Sequence, residues 1–255
     1  MSDNAQVSTD HPIIFDSVSK EYPKEIGSPA HKALHDLSFT VHHGEIVGLI
    51  GANGAGKSTS IRMLMDFIRP TRGTIALFGH SPSVRKLRQR IGYLPETANF
   101  PANLTVLNLL RFTAATCAIP KNTMKQRSRE LLDLLDLWEV RSRPLRLYSK
   151  GMQQRANFAI ALINDPELLI LDEPMSGLDP MGRKKIFDLI CQLKDAGKTI
   201  LFCSHILEDV DRLADSILLL HKGEKLFHGT PGQIAVQENT ASMADAFISR
   251  LNKED

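Results

Sequence analysis

The sequence predicts an α/β domain on a mostly parallel sheet, with an inserted all-helical subdomain and a small N-terminal β portion. Three observations carry this. After residue 150, apolar strand-like runs alternate with helical stretches, the pattern of βαβ units whose parallel strands lie under helices. From about 100 to 150 the apolar residues recur only at helical spacing, beginning with Leu104, Leu107 and Leu110. Before residue 45, two short β-like runs precede the first fully apolar strand.

In order, residues 1–10 are polar and expected to be a disordered tail. Ile13, Ile14 and Phe15 begin a short strand, and 37–41 alternates into another. His43-Gly44-Glu45 is the turn before the strand at 46–50. A helix follows from Ser58 to Phe67, with Ile61, Leu64, Met65 and Ile68 on one face. Arg69-Pro70-Thr71-Arg72-Gly73 ends it, and 74–78 is again a strand. Pro101, Pro120 and Pro144 punctuate the helical subdomain. Helices are then expected at 152–164, 181–195 and 206–213, and strands at 168–171, 199–203 and 216–220. The C-terminal part from 231 ends in a weakly amphipathic helix at 243–251. A single domain over 11–255 is expected. Its core runs over about 11–99 and 151–230, with the helical subdomain at about 100–150 and a helical tail at 231–255.

The formal net charge of +2 supplies no overall field of the kind that draws nucleic acid. One local excess stands out: residues 121–155 hold nine Lys or Arg against four Asp or Glu. Such a run is a solvated face or a basic patch toward a membrane or partner. Cys117, Cys191 and Cys203 form no C-x-x-C pair, so neither a disulfide framework nor a zinc site is expected. The N-terminus lacks the apolar region of a signal peptide, and no apolar run nears the ~20 residues of a membrane span. A soluble, cytoplasmic chain is expected, with any membrane role supplied by a partner.

Residues 51–59 read GANGAGKST and fit the phosphate-loop pattern G-x-x-x-x-G-K-[ST]. Glycines let backbone N–H groups turn inward around phosphate oxygens, and the following helix points its positive dipole end there. Gly51, Asn53, Gly54, Ala55, Gly56, Lys57, Ser58 and Thr59 are the candidate cradle. Lys57 neutralises β/γ-phosphate charge, and the Ser58 hydroxyl is a ligand for Mg²⁺. With a strand before and a helix after, the loop defines a P-loop NTPase core. It names a ligand class, ATP among others, and not a task.

Glu167-Leu168-Leu169-Ile170-Leu171-Asp172-Glu173-Pro174 is an apolar strand ending in two carboxylates. Asp172 is placed to hold Mg²⁺ through water. Glu173, one residue on, points another way and suits a general base for water attacking the γ-phosphate.

Tyr148-Ser149-Lys150-Gly151-Met152-Gln153-Gln154-Arg155 precedes that strand. Here the sequence resembles the ATP-binding subunits of ABC transporters, whose signature reads LSGGQ. Tyr148 replaces the leucine and Lys150 a glycine, while Ser149 and Gly151 are kept. The resemblance runs from about Phe15 to Thr230. It implies that Ser149 and Gly151 close on the γ-phosphate of ATP held by a second copy; Lys150 either strengthens that contact or points into solvent. Ser176-Gly177-Leu178-Asp179-Pro180 resembles the family's D-loop, with Asp179 at the dimer seam. Ser204-His205 resembles the switch histidine, which implies that His205 holds the γ-phosphate and the attacking water with Glu173. Tyr22 matches the aromatic that stacks on adenine.

Gly92-Tyr93-Leu94-Pro95-Glu96 carries Glu96 where the family often has a glutamine that touches Mg²⁺ and water. A carboxylate still suits the metal, though its charge repels the γ-phosphate. The Leu-Pro-Glu form and the Tyr-Ser-Lys-Gly-Met signature resemble the export-type branch of ABC-2 systems. That implies a homodimer across two ATP sites and a separate polytopic membrane subunit. No nucleic acid is expected. The competing expectation is a soluble ABC ATPase acting as an assembly factor, as in iron–sulfur cluster biogenesis. Proteins of this family in DNA repair or translation need long coiled coils or tandem cassettes, and this chain has one phosphate loop and no heptads.

Overall fold

The computed structural model describes residues 11–23, 31–97, 100–101 and 103–253. The expected tail at 1–10 lies outside them. In chain order the elements are β1 (Ile13–Tyr22), β2 (His31–Val41), β3 (Ile46–Ile50), α1 (Lys57–Leu64), β4 (Arg72–Leu77), β5 (Ile91–Leu94), α2 (Val106–Thr116) and α3 (Lys121–Leu134). They continue with α4 (Lys150–Leu162), β6 (Leu168–Asp172), α5 (Pro180–Asp195), β7 (Thr199–Cys203), α6 (Leu207–Leu213), β8 (Ser216–His221), β9 (Glu224–Gly229), α7 (Pro231–Glu238) and α8 (Met243–Asn252).

The chain divides into two compact units: the described residues up to Arg85 with those from Thr199 onward, and Lys86–Lys198. In the first unit, β1 is the middle strand of an antiparallel sheet ordered β2-β1-β4. A second group runs β7-β3-β8-β9, parallel except for β9. Every residue of β3 and β7 is buried, as strands covered on both faces require. This explains why their sequences read as unbroken apolar runs rather than alternating ones.

In the second unit, β5 and β6 pair in parallel, with Leu94 opposite Leu171. The helical stretch 100–150 lies wholly in this unit and supplies α2 and α3. Thr105 caps α2 in a reciprocal box with Asn108. Four of the nine basic side chains of 121–155 are engaged within the unit. Arg127 donates to the carbonyls of Leu162 and Ile163, and Arg155 to that of Leu135. Arg129 and Arg141 lie about the Trp138 ring at 4.0 and 3.9 Å.

Several boundaries differ from expectation, among them that of β2, which begins at His31 and not at 37. Helix α1 stops at Leu64 instead of Phe67, because Asp66 takes a left-handed conformation at φ 55°. Strand β1 runs on to Tyr22, past irregular pairing on either side of Ser17 and a left-handed Ser17. Strands β5 and β9 were not expected as elements, whereas α7 and α8 fall within the expected helical tail. No helix among the described residues is long and apolar enough to cross a membrane, and none of the three cysteines is in a disulfide.

Candidate functional site

The first unit carries Tyr22, the phosphate loop and His205. The loop leaves the C-terminal end of β3, and Ser204-His205 leaves the C-terminal end of β7. These are parallel neighbours with Leu49 opposite Cys203, so both segments emerge on one edge. Ligands of open α/β sheets bind at that edge. Gly51 has no room for a side chain: a Cβ would clash with the Leu220 carbonyl oxygen and with Ala55. Gly56 sits at φ 109° just before α1, a conformation costly for other residues, and provides no side-chain cap. The first N–H groups of α1 therefore lack a side-chain acceptor and suit an anion. Asn53 and Gly54 are exposed at the tip, Ser58 is exposed, and Thr59 is half-buried on α1. The Lys57 ammonium folds over the loop, donating to the carbonyls of Gly51 at 2.6 Å and Ala52 at 3.1 Å.

The turn between β8 and β9 braces this loop. The Gly223 N–H donates to the Ala55 carbonyl at 3.2 Å. Ser204 is buried, and its hydroxyl accepts from the Ile206 N–H at 3.1 Å, while His205 is exposed. Tyr22 is half-buried at the end of β1 opposite His31.

The second unit carries Glu96, Ser149, Gly151, Asp172, Glu173 and Asp179. Here too the strand register brings groups to one edge. Glu96 follows β5 and Asp172 ends β6, its parallel neighbour. These carboxylate oxygens are the hard donors that Mg²⁺ prefers. Glu173 lies beyond the strand with a left-handed backbone at φ 51°, so a kink and not the pleat alone sets its course. Such a conformation costs about 1–3 kcal/mol and persists only where neighbours enforce it. Gln154 is one enforcer: buried on α4, it donates to the carbonyls of Glu173 at 3.3 Å and Pro174 at 2.9 Å. One turn on, the buried Asn157 donates to the Pro95 carbonyl at 3.2 Å and pins the backbone before Glu96.

Ser149 is the N-cap of α4, its hydroxyl accepting from the Met152 N–H at 3.2 Å. Asp179 caps α5 through the Gly182 N–H at 2.9 Å. Ser149, Gly151 and Asp179 line one cavity of about 810 Å³, together with Lys150, Lys184 and Lys185. Tyr148 is buried and donates its hydroxyl to the Val140 carbonyl at 2.9 Å. Burial pushes its phenol pKa up, with Arg143 opposing.

Sequence reasoning assigned no role to Gln154, Asn157 or the β8–β9 turn. The signal for the first two was present: polar amides three apart on the otherwise apolar face of α4.

Residues 34–176 match the ABC transporter family, and the chain belongs to that family. It is 45% identical over 210 residues to an uncharacterized ABC transporter ATP-binding protein of Nostoc sp., covering 82% of this chain and 63% of that protein. It is 35% identical to the Nod factor export ATP-binding protein I of Ralstonia nicotianae, over 83% of this chain and 66% of that one. The chain thus spans less than two thirds of the length of both relatives. Among solved structures, the ATP binding subunit of an ABC transporter superposes with a TM-score of 0.86 at 31% identity, over 94% of this chain and 99% of that one. A dimeric bacterial ABC transporter cassette superposes at 0.77 with 26% identity, over 86% and 98%. The fold is the α/β fold of ABC ATPases.

Proposed function

We propose that the chain binds ATP and hydrolyses it to ADP and phosphate, and that it powers a separate membrane subunit of an ABC-type exporter. On this reading residues 11–255 are one ATP-binding domain, with 100–150 as its helical subdomain. The observation that carries it is a repeated arrangement. In each unit, motif residues leave the C-terminal ends of paired parallel strands: the phosphate loop with His205, and Glu96 with Asp172-Glu173.

The roles follow from the chemistry. The loop 51–59 cradles phosphates by backbone N–H groups, Lys57 neutralises their charge, and Tyr22 stacks on adenine. Ser58, Glu96 and Asp172 would hold Mg²⁺, which when bound offsets negative charge on the β- and γ-phosphates. Water attacks the γ-phosphorus, Glu173 takes its proton, and the bond to the β-phosphate oxygen breaks. His205 donates to the γ-phosphate. Ser149 and Gly151 close on ATP of a second copy, with Asp179 at the seam. Hydrolysis then reopens the pair and moves the membrane subunit. On this reading the chain works in the cytoplasm, at the membrane face through its partner. The export branch draws support from the Nod factor export relative, and the assembly-factor alternative has no such support.

The direct test is Lys57→Ala. Loss of a phosphate-neutralising charge should weaken MgATP binding by at least about tenfold, since a charge-assisted hydrogen bond is worth about 1.5–3 kcal/mol. Unchanged affinity by calorimetry would remove the loop from the nucleotide site.

A further inference from the structure

The second unit holds two oppositely charged side chains, Lys150 at the head of α4 and Glu96 just after β5. Far apart in sequence, they line the same cavity of about 110 Å³, walled also by Thr97, Gln153, Gln154 and Ser176. Among the described residues, neither side chain forms an ion pair within 4.0 Å, with the other or with any further group.

Lys150 also lines the larger cavity of about 810 Å³, whose carboxylates are those of Asp136, Asp179 and Asp188. Lys150 is the first residue of α4, where the helix dipole disfavours positive charge. Its stem is nonetheless confined. Gly177 has φ 71°, and a Cβ there would fall within 3.0 Å of the Lys150 Cγ, Cδ and Cε atoms. The lysine stem therefore runs close along the Gly177 backbone. Glu96 in turn joins Asp172 and Glu173 at the ends of two adjacent strands, where a further carboxylate adds like charge.

We propose that Lys150 is a positioning residue for Glu96. Its ammonium attracts the Glu96 carboxylate across this cavity, ties the loop after β5 to the head of α4, and offsets the charge that glutamate brings to the strand ends. Only the nucleotide consequence rests on the function proposed above; the pairing itself does not.

The test is a cycle of Lys150→Met, Glu96→Gln and the double variant, with Lys150→Arg as the charge-conserving control. In nucleotide-free protein, amide exchange in peptides spanning 93–97 should quicken roughly twofold to fivefold in either single variant, the scale of a partly exposed ion pair. The double variant should be no faster than the faster single, and Lys150→Arg should match the parent. Additive effects, or loss in Lys150→Arg equal to that in Lys150→Met, would overturn the pairing. With dilute, monomeric protein and MgATP, Lys150→Met should weaken binding by roughly twofold to fivefold when Glu96 is present and leave it unchanged in the Glu96→Gln background. Equal weakening in both backgrounds would place Lys150 on the nucleotide and overturn the proposal. Failure of the parent to bind MgATP would overturn the functional reading, and the exchange cycle would still decide the pairing.

Discussion

Glu173 combines two properties at a single residue: a carboxylate just past a buried strand, and a left-handed backbone that glutamate adopts at a cost. On the function proposed here, a general base is useful only if its carboxylate is held where water arrives, and the kink is what would redirect it. Glu173→Gln keeps shape and hydrogen-bonding capacity but removes the proton acceptor. Turnover should fall at least ~10²-fold while MgATP affinity stays within about twofold, measured by phosphate release and calorimetry. Near-parent turnover would take Glu173 out of the role. Lys57, Ser58, Asp172 and Glu173 stand out in the sequence as candidates because phosphate and metal chemistry restrict which side chains work, and His205 stands out only through the family resemblance. The kink was not legible. It depends on Gln154, nineteen residues away, donating to two consecutive carbonyls.

Among the elements, α4 does several jobs. Its cap is Ser149, its first residue Lys150, and its buried face carries Gln154 and Asn157. Gln154→Leu keeps the bulk and leaves the Glu173 and Pro174 carbonyls without that donor. The expected cost is about 1–3 kcal/mol, with a Tm loss of roughly 2–4 °C per kcal/mol. Turnover should fall more than MgATP affinity. A stable variant with parent turnover would show that the amide does not hold the kink.

Helices α7 and α8 are joined by charge. Glu238 has a side chain only 1% exposed and accepts from Lys253, Arg250 and Ser249. Hydrogen bonds from Lys253 and then Arg250 hold its pKa at about 2, below the usual 4.5, against the opposing effect of burial. A carboxyl with a depressed folded pKa stabilises above its unfolded pKa and loses that contribution as pH falls through the folded one. Exchange protection at 231–253 should therefore be constant above about pH 4.5 and fall toward pH 2. Glu238→Gln should remove that dependence. An unaltered pH profile in that variant would assign the loss to other groups.

Strand β5 escaped notice because it has four residues and follows a 3₁₀ turn at Arg85–Gln89. Strand β9, reading EKLFHG, has one buried residue and pairs antiparallel at the end of its strand order. Both lack the unbroken apolar run that made β3, β6 and β7 plain.

For the whole molecule, the α/β class was readable because doubly covered strands read as short unbroken apolar runs while amphipathic helices repeat at about 3.6 residues. What the periods did not reveal was the cross-bracing: the β8–β9 turn under the phosphate loop, and arginines from the basic stretch bonded to carbonyls of their own unit. The proposed cycle makes a further demand on the molecule as a whole. One signature and one phosphate loop per chain leave a site to be completed by a second copy. Driving such a pair from 1:99 open to 99:1 closed takes about 5.5 kcal/mol of preferential binding. Shared by two nucleotides, that is about 2.7 kcal/mol each, the scale of one or two charge-assisted hydrogen bonds from Ser149 and Gly151.

The most direct measurement is the solution mass of the Glu173→Gln protein by sedimentation, with and without MgATP, alone and with its membrane partner. The account predicts a monomer without nucleotide and a dimer with it, and a return to monomer when Ser149→Arg is added. A mass that stays monomeric in saturating MgATP at every concentration, in both settings, would contradict it.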